Sequence, residues 1–182
     1  MLNCSKINAQ NDANDYTTAE NLDKLAISVV KLLYQKKLKL GTAESCTGGM
    51  LSQYITSVAG SSEIFEMGIC SYSNRIKTQE LFVPCQLLES FGAVSEQVAV
   101  VMAEGIIKKS GADIGVGITG IAGPEGGTVE KPVGTVYVAV CFENKKLVRN
   151  LKLYEIDKKL DRDEIRKLST FSALKMISDI IL

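Results

Sequence analysis

The chain has 182 residues, of which 46% are hydrophobic, and its 21 basic residues balance its 21 acidic residues. This length suits one domain with a substantial core, and the zero formal net charge argues against a broad surface for nucleic acid or anionic membranes. The five cysteines lack metal-ligand spacing and histidine is absent, so we expect no metal site and no imidazole base in any hydrolytic chemistry.

The first 16 residues are polar, Asn-rich and aperiodic, which predicts a flexible leader before a single domain at 17–182. We find neither a signal-peptide pattern nor a run of about 18 apolar residues, so we expect a cytoplasmic protein that does not span a membrane. From Leu22 to Leu33, apolar residues recur at helical spacing. This spacing predicts a helix that packs on a sheet.

The next segment predicts a strand followed directly by a helix. Residues 38–43 form a short apolar run, and apolar residues from Met50 to Val58 follow a helical pattern that we extend back to about Thr47. Ser45 therefore lies at a strand-to-helix corner, where unpaired amides at a helix start favour an anion or a developing oxyanion. We predict Ser45 as a nucleophile, although a serine at this position can equally be an ordinary helix cap.

Cys46 is a rival nucleophile at the same corner. Without a histidine beside it, its thiol depends on the helix terminus alone to lower its pKa, and cysteine is often just a small buried residue. We therefore favour Ser45. Glu44 is interpreted as a capping or salt-bridging acid.

A second strand at 65–73 leads to a helix at 75–82 that we expect Asn74 to cap. Lys77 then lies in the first helical turn, where burial and the helix dipole both lower the pKa of an amine. A neutral Lys77 could deprotonate Ser45, and the Tyr72 hydroxyl could bridge the two side chains. The ordinary alternatives are a solvated surface lysine and a tyrosine packed in the core.

The remaining elements alternate and then end in a hairpin and a helix. We predict a short connection at 87–92, a helix at 96–110 capped by Ser95, a buried strand at 112–119, a glycine-rich loop at 120–132, strands at 133–142 and 147–156, and a last helix opened by Asp161. This order predicts an α/β fold, a three-layer α/β/α sandwich with a mixed sheet.

The glycine-rich loop has the backbone freedom to present amides to phosphate or carbonyl oxygens. It matches neither the dinucleotide fingerprint nor the P-loop pattern, so both of those folds are disfavoured. Arg162 could neutralise a phosphate, or it could pair with Asp161 or Asp163 as a solvated residue at the helix start.

Several motifs, taken together in order, closely resemble the CinA C-terminal family from about Ala26 to the C-terminus. They are Ala43-Glu-Ser-Cys-Thr-Gly-Gly49, Gly60-Ser-Ser62, Tyr72-Ser-Asn-x-x-Lys77, Gly92-Ala-Val-Ser95, Gly117-Ile-Thr-Gly-Ile-Ala-Gly-Pro124, Lys131-Pro-Val-Gly-Thr135 and Asp161-Arg-x-x-Ile-Arg166. The resemblance implies nicotinamide mononucleotide amidohydrolase activity in a stand-alone amidase. It also implies a homo-oligomer, a dimer or higher.

The resemblance also implies the roles of individual residues. The nucleophile of the family falls on Ser45, its base on Lys77 and its supporting tyrosine on Tyr72. Contacts to the small-molecule nucleotide substrate are expected from Cys46, Thr47, Gly48, Thr119, Gly120, Gly123, Arg162 and Arg166.

The expected mechanism needs neither a metal nor a cofactor. Neutral Lys77 removes the Ser45 proton, directly or through Tyr72, Ser45 attacks the carboxamide carbon, and amides at the start of the following helix hold the oxyanion. Two alternatives stay open at this point: a nucleotide-binding or regulatory module without catalysis, and an amidase for a related carboxamide.

Overall fold

The computed structural model describes residues 18–182, so the leader predicted at 1–16 lies outside the described residues. The helices are α1 (Ala19–Lys36), α2 (Met50–Thr56), α3 (Asn74–Leu81), α4 (Cys85–Phe91), α5 (Glu96–Ser110), α6 (Leu153–Ile156) and α7 (Arg162–Ile181), with a 3-10 turn at Ser61–Glu63. The strands are β1 (Leu40–Glu44), β2 (Phe65–Cys70), β3 (Ile114–Gly120), β4 (Val136–Phe142) and β5 (Lys145–Asn150).

The five strands form one mixed sheet in the order β2-β1-β3-β4-β5. β1 runs parallel to both β2 and β3, whereas β4 is antiparallel to β3 and β5. The carboxyl ends of β1, β2 and β3 therefore meet at one edge of the sheet. In open α/β sheets this edge is the usual place for a ligand-binding crevice.

Helices cover both faces of the sheet, which confirms the predicted three-layer α/β/α sandwich. On one face, α1 and α7 pack around a core that includes Leu33, Val116, Val138 and Ile177. On the other face, α5 packs against the sheet, and Leu81 at the end of α3 joins this second core. The helices on both faces explain why every residue of β1, and every residue of β3 but the last, is buried.

Glycines in β3 allow α5 to lie unusually close to the sheet. A Cβ atom on Gly117 would collide with the carbonyl oxygen of Ala99, and one on Gly115 would collide with that of Ala103. Both contacts are to backbone atoms that cannot move aside without shifting the helix. The glycines of β3 thus serve close packing, and they hold the strand that leads into the glycine-rich loop.

Three local predictions are wrong. Ser73, and not Asn74, caps α3 by accepting a hydrogen bond from the amide of Ile76. Most of the connection predicted at 87–92 belongs to the helix α4. Its N-cap residue is Pro84, which has no side-chain acceptor, so the sequence shows no capping signal for this helix. The strand predicted at 147–156 ends at Asn150.

The early end of β5 has a tertiary cause. Lys152 adopts a left-handed backbone conformation, with φ 46°, and the chain turns towards the loop before β4. The amides of Leu151 and Leu153 donate to the carbonyls of Val136 and Gly134. Burial of Leu153 therefore takes the place of strand pairing and begins α6.

Within residues 18–182, no helix combines the length and the hydrophobicity that are needed to cross a bilayer.

Candidate active site

The corner after β1 is organised by the buried carboxylate of Glu44. One oxygen, Oε2, accepts hydrogen bonds from the amides of Gly49 (3.1 Å) and Leu51 (3.0 Å). The other, Oε1, accepts from the amide of Ser52 (2.9 Å) and from its hydroxyl (2.7 Å). Glu44 thus caps α2 from the end of β1, and it fixes the turn that carries Ser45.

Ser45 and Lys77 are in direct contact at the carboxyl edge of the sheet. Lys77 Nζ lies 3.0 Å from Ser45 Oγ and donates to the carbonyl of Ser71 at 2.7 Å. Lys77 is only 1% exposed and Ser45 is 9% exposed. The surface-lysine alternative is therefore excluded, because this side chain ends inside the protein, on the hydroxyl of the predicted nucleophile.

Burial lowers the pKa of Lys77 below its ordinary value of 10.5, because a charged ammonium loses its hydration there. No carboxylate within residues 18–182 forms an ion pair with Lys77. An amine that donates one N–H to Ser71 can direct its lone pair towards the Ser45 hydroxyl. The pair can therefore act as a nucleophile and a general base.

Tyr72 does not bridge these two side chains, contrary to one of the predicted routes. Its hydroxyl accepts a hydrogen bond from Arg162 Nη2 at 3.1 Å, and the side chain is 64% exposed. Among the described residues it makes no hydrogen bond to Ser45 or Lys77. The direct contact makes a relay through Tyr72 unnecessary for the first proton transfer.

Cys46 is placed beside Ser45 but in an unfavourable electrostatic setting for a nucleophile. Burial raises the pKa of its thiol to about 12, so the thiol stays protonated at neutral pH. The structure therefore favours Ser45 over Cys46 as the attacking group.

The amides expected to hold the oxyanion are mostly occupied. Those of Gly49, Leu51 and Ser52 donate to Glu44, and that of Met50 donates to the Thr47 carbonyl. The amide of Cys46 is not among these donors to Glu44. The donor next to the nucleophile is thus the residue that directly follows it, and not the start of α2.

A cavity of about 280 Å³ opens beside the Ser45–Lys77 pair. Of the predicted site residues, it is lined by Ser45, Cys46, Tyr72, Lys77, Thr119, Gly120, Gly123 and Arg162. Thr119 is held there by its hydroxyl, which donates to the Ala93 carbonyl at 2.8 Å. Arg162 is held by a hydrogen bond from Nη1 to the Gly123 carbonyl at 2.7 Å.

Three residues predicted to contact substrate do not line this cavity: Thr47, Gly48 and Arg166. Arg166 instead donates two hydrogen bonds to the Thr47 carbonyl, from Nε at 3.1 Å and from Nη2 at 2.9 Å. These contacts support the Ser45 corner from behind. The Thr47 hydroxyl is buried and has no partner within the described chain.

The cavity also contains residues that sequence reasoning missed. They are Asn74, Ala93, Val94, Ile121, Ala122, Glu125 and Gly126. Asn74 lies within the Tyr72–Lys77 motif and Glu125 within the glycine-rich loop, but nothing in a single sequence tells which side chains of a loop face a cavity. No group of three potential metal ligands occurs among residues 18–182.

The sequence of the chain is similar to a known protein family and to several of its members. The family model of the CinA C-terminal domain matches residues 22–181. A CinA-like protein from Dictyoglomus turgidum is 43% identical over 163 residues, which cover 90% of this chain and 38% of the relative. A putative competence-damage inducible protein from Thermoanaerobacter pseudethanolicus is 45% identical, with the same coverage. The chain thus spans about 38% of the length of these curated relatives.

Solved structures with this fold include two that cover nearly the whole described domain. The competence/damage inducible protein CihA from Agrobacterium tumefaciens has a TM-score of 0.83 and 38% identity, covering 87% of this chain and 94% of that one. A CinA superfamily protein from Escherichia coli has a TM-score of 0.82 and 31% identity, covering 91% of this chain and 92% of that one. The fold is therefore shared across these proteins.

Proposed function

Because the chain belongs to the CinA C-terminal domain family and carries a buried serine–lysine pair at the edge of a cavity, we propose that it is a nicotinamide mononucleotide amidohydrolase. The observation that carries the proposal is the 3.0 Å contact between Ser45 Oγ and Lys77 Nζ. The reaction converts the carboxamide of the nucleotide to a carboxylate and releases ammonia.

The first half of the reaction forms an ester on Ser45. Neutral Lys77 accepts the Ser45 proton, and the serine oxygen attacks the carboxamide carbon to give a tetrahedral intermediate. The Cys46 amide donates to the oxyanion. When the carbon–nitrogen bond breaks, the Lys77 ammonium gives its proton to the leaving nitrogen, which departs as ammonia.

The second half uses the same groups on water. Lys77, neutral again, takes a proton from a water molecule that attacks the ester carbonyl, and the proton then returns to the Ser45 oxygen as the ester bond breaks. The product acid loses its remaining proton to the solvent and leaves as the carboxylate, and the enzyme returns to its starting state. Lys77 carries out each proton transfer at the bonds that form and break, so no metal or cofactor is required by the chemistry.

The far end of the cavity suits the nucleotide part of the substrate. Arg162 uses two of its N–H groups on Gly123 and Tyr72, which holds the guanidinium at the cavity wall and leaves further donors for an anion. The backbone at 120–123 lines the cavity next to Arg162, because Gly123 accepts a hydrogen bond from it. A phosphate bound by Arg162 and a carboxamide bound at Ser45 would use both of these groups.

The test is ammonia release from nicotinamide mononucleotide by the purified protein in the presence of a metal chelator. Ser45→Ala and Lys77→Met should each lower kcat by at least about 10³-fold, because each removes a group that reacts directly. Matched controls are Ser62→Ala and Lys158→Met, both exposed residues outside the cavity. Tight binding of the nucleotide without any turnover by the unmodified chain would favour the non-catalytic binding module instead.

A further inference from the structure

The cavity beside Ser45 contains two side chains of opposite charge that are not paired with each other. Glu125 and Arg162 both line its wall. Within residues 18–182 the Glu125 carboxylate forms no ion pair and no hydrogen bond. Glu125 is exposed, so water screens its charge in part, but an unneutralised carboxylate at a cavity wall still attracts a cation.

The cations of the same loop and of its hydrogen-bond partner Arg162 donate to oxygen atoms other than those of Glu125. Arg162 donates to the Gly123 carbonyl at 2.7 Å and to the Tyr72 hydroxyl at 3.1 Å. Lys131 donates to the carbonyls of Phe91 at 2.8 Å and Val94 at 2.7 Å. Both cations therefore hold the walls of the cavity in place, and neither neutralises Glu125.

The glycine-rich loop fixes where the Glu125 backbone lies. A Cβ atom on Gly123 would lie 2.6 Å from Val133 Cγ1, and one on Gly127 would lie 2.8 Å from the Val133 amide nitrogen. The loop is thus pressed against Val133 on both sides of Glu125. The backbone at this position has little freedom to carry the carboxylate away from the cavity.

We infer that Glu125 is a specificity-determining residue that recognises the positive charge of a pyridinium ring, so that the site selects a zwitterionic nucleotide. This inference rests on the proposed function, and it names the substrate class more narrowly. The ring cation faces Glu125 and the phosphate anion faces Arg162, while the carboxamide lies at Ser45. A nucleotide with the same carboxamide and phosphate but a neutral ring lacks the first of these interactions.

The test compares two ligands that differ in ring charge alone. Nicotinamide mononucleotide carries a pyridinium ring, and benzamide ribonucleotide has a carbon atom in place of the ring nitrogen and is neutral there. Dissociation constants are measured by calorimetry in Ser45→Ala, which prevents turnover, and in the double variants Ser45→Ala/Glu125→Gln and Ser45→Ala/Glu130→Gln. Glu130 is the matched control because it lies in the same exposed loop but outside the cavity wall.

Glu125→Gln should weaken binding of the pyridinium nucleotide about fivefold and that of the neutral analogue less than about twofold, as expected for a partly exposed charge pair. Glu130→Gln should change neither. Equal weakening of both ligands, or no effect on the pyridinium nucleotide, overturns the inference while leaving ammonia release by the unmodified protein intact. If Ser45→Ala binds neither nucleotide and the unmodified protein releases no ammonia, the proposed function fails and the inference fails with it.

Discussion

The substitution Glu44→Gln tests whether the Ser45 corner depends on a buried carboxylate. Four hydrogen bonds end on the two oxygens of Glu44, two on each. In glutamine an NH2 group replaces one of the two oxygens. This group cannot accept a hydrogen bond, so two of the four bonds are lost and its N–H groups face the N–H or O–H groups that donated them. Hydrogen bonds to charged groups contribute about 1.5–3 kcal/mol each, so the loss sums to about 3–6 kcal/mol.

Some of this loss is recovered, because the Ser52 hydroxyl can rotate and accept from the new amino group at about 1 kcal/mol. We therefore expect Glu44→Gln to lower the free energy of unfolding by about 2–5 kcal/mol, a large part of the stability of an ordinary domain. Denaturant unfolding followed by circular dichroism, with a comparison of midpoints at constant slope, measures the difference.

The matched control is Glu66→Gln, an exposed acid on β2 with no side-chain partner among the described residues. It should change the free energy of unfolding by less than about 0.5 kcal/mol. If Glu44→Gln falls within that same range, the carboxylate does not hold the corner and the reasoning from its four hydrogen bonds is refuted.

Three further predictions follow from the site. Between the lowered folded-state pKa of Lys77 and its ordinary value of 10.5, the free energy of unfolding of the unmodified protein should rise with pH, because Lys77 is still protonated in the unfolded chain but neutral in the folded one. Lys77→Met should remove this rise, and the same pH dependence in the variant would contradict the prediction. Alkylation of the native protein at neutral pH, mapped by peptide mass, should label exposed Cys85 and spare Cys46, whereas equal labelling would show that the Cys46 thiol is accessible and ionised. Arg166→Lys should lower the free energy of unfolding by about 1–2 kcal/mol, because one ammonium cannot reproduce the two hydrogen bonds to the Thr47 carbonyl; a midpoint equal to that of the unmodified protein would contradict this.

The sequence is sufficient to predict the layers of the fold and the position of Ser45. Strand-to-helix corners are local features, and the spacing of apolar residues around 38–58 is visible in the chain itself. The capping role of Glu44 is local too, since its hydrogen-bond partners lie within eight residues of it. These parts of the site follow from short-range physical chemistry.

Other parts of the site depend on contacts between residues far apart in the chain. Tyr72 precedes Lys77 by five residues, which suggested a bridge to Ser45, but its hydroxyl pairs with Arg162, 90 residues away. Arg166 pairs with Thr47, 119 residues away, and so supports the corner without lining the cavity. Packing of α7 against the sheet decides both outcomes, and no local pattern reports it.

The central claim is that Ser45, activated by Lys77, forms a covalent ester with the carboxamide carbon of nicotinamide mononucleotide. The most direct measurement is turnover in the presence of hydroxylamine, which captures such an ester as a hydroxamate. The account predicts that the unmodified protein yields both ammonia and the nucleotide hydroxamate, and that Ser45→Ala yields neither. Release of ammonia without hydroxamate, or hydroxamate formation by Ser45→Ala, would contradict it.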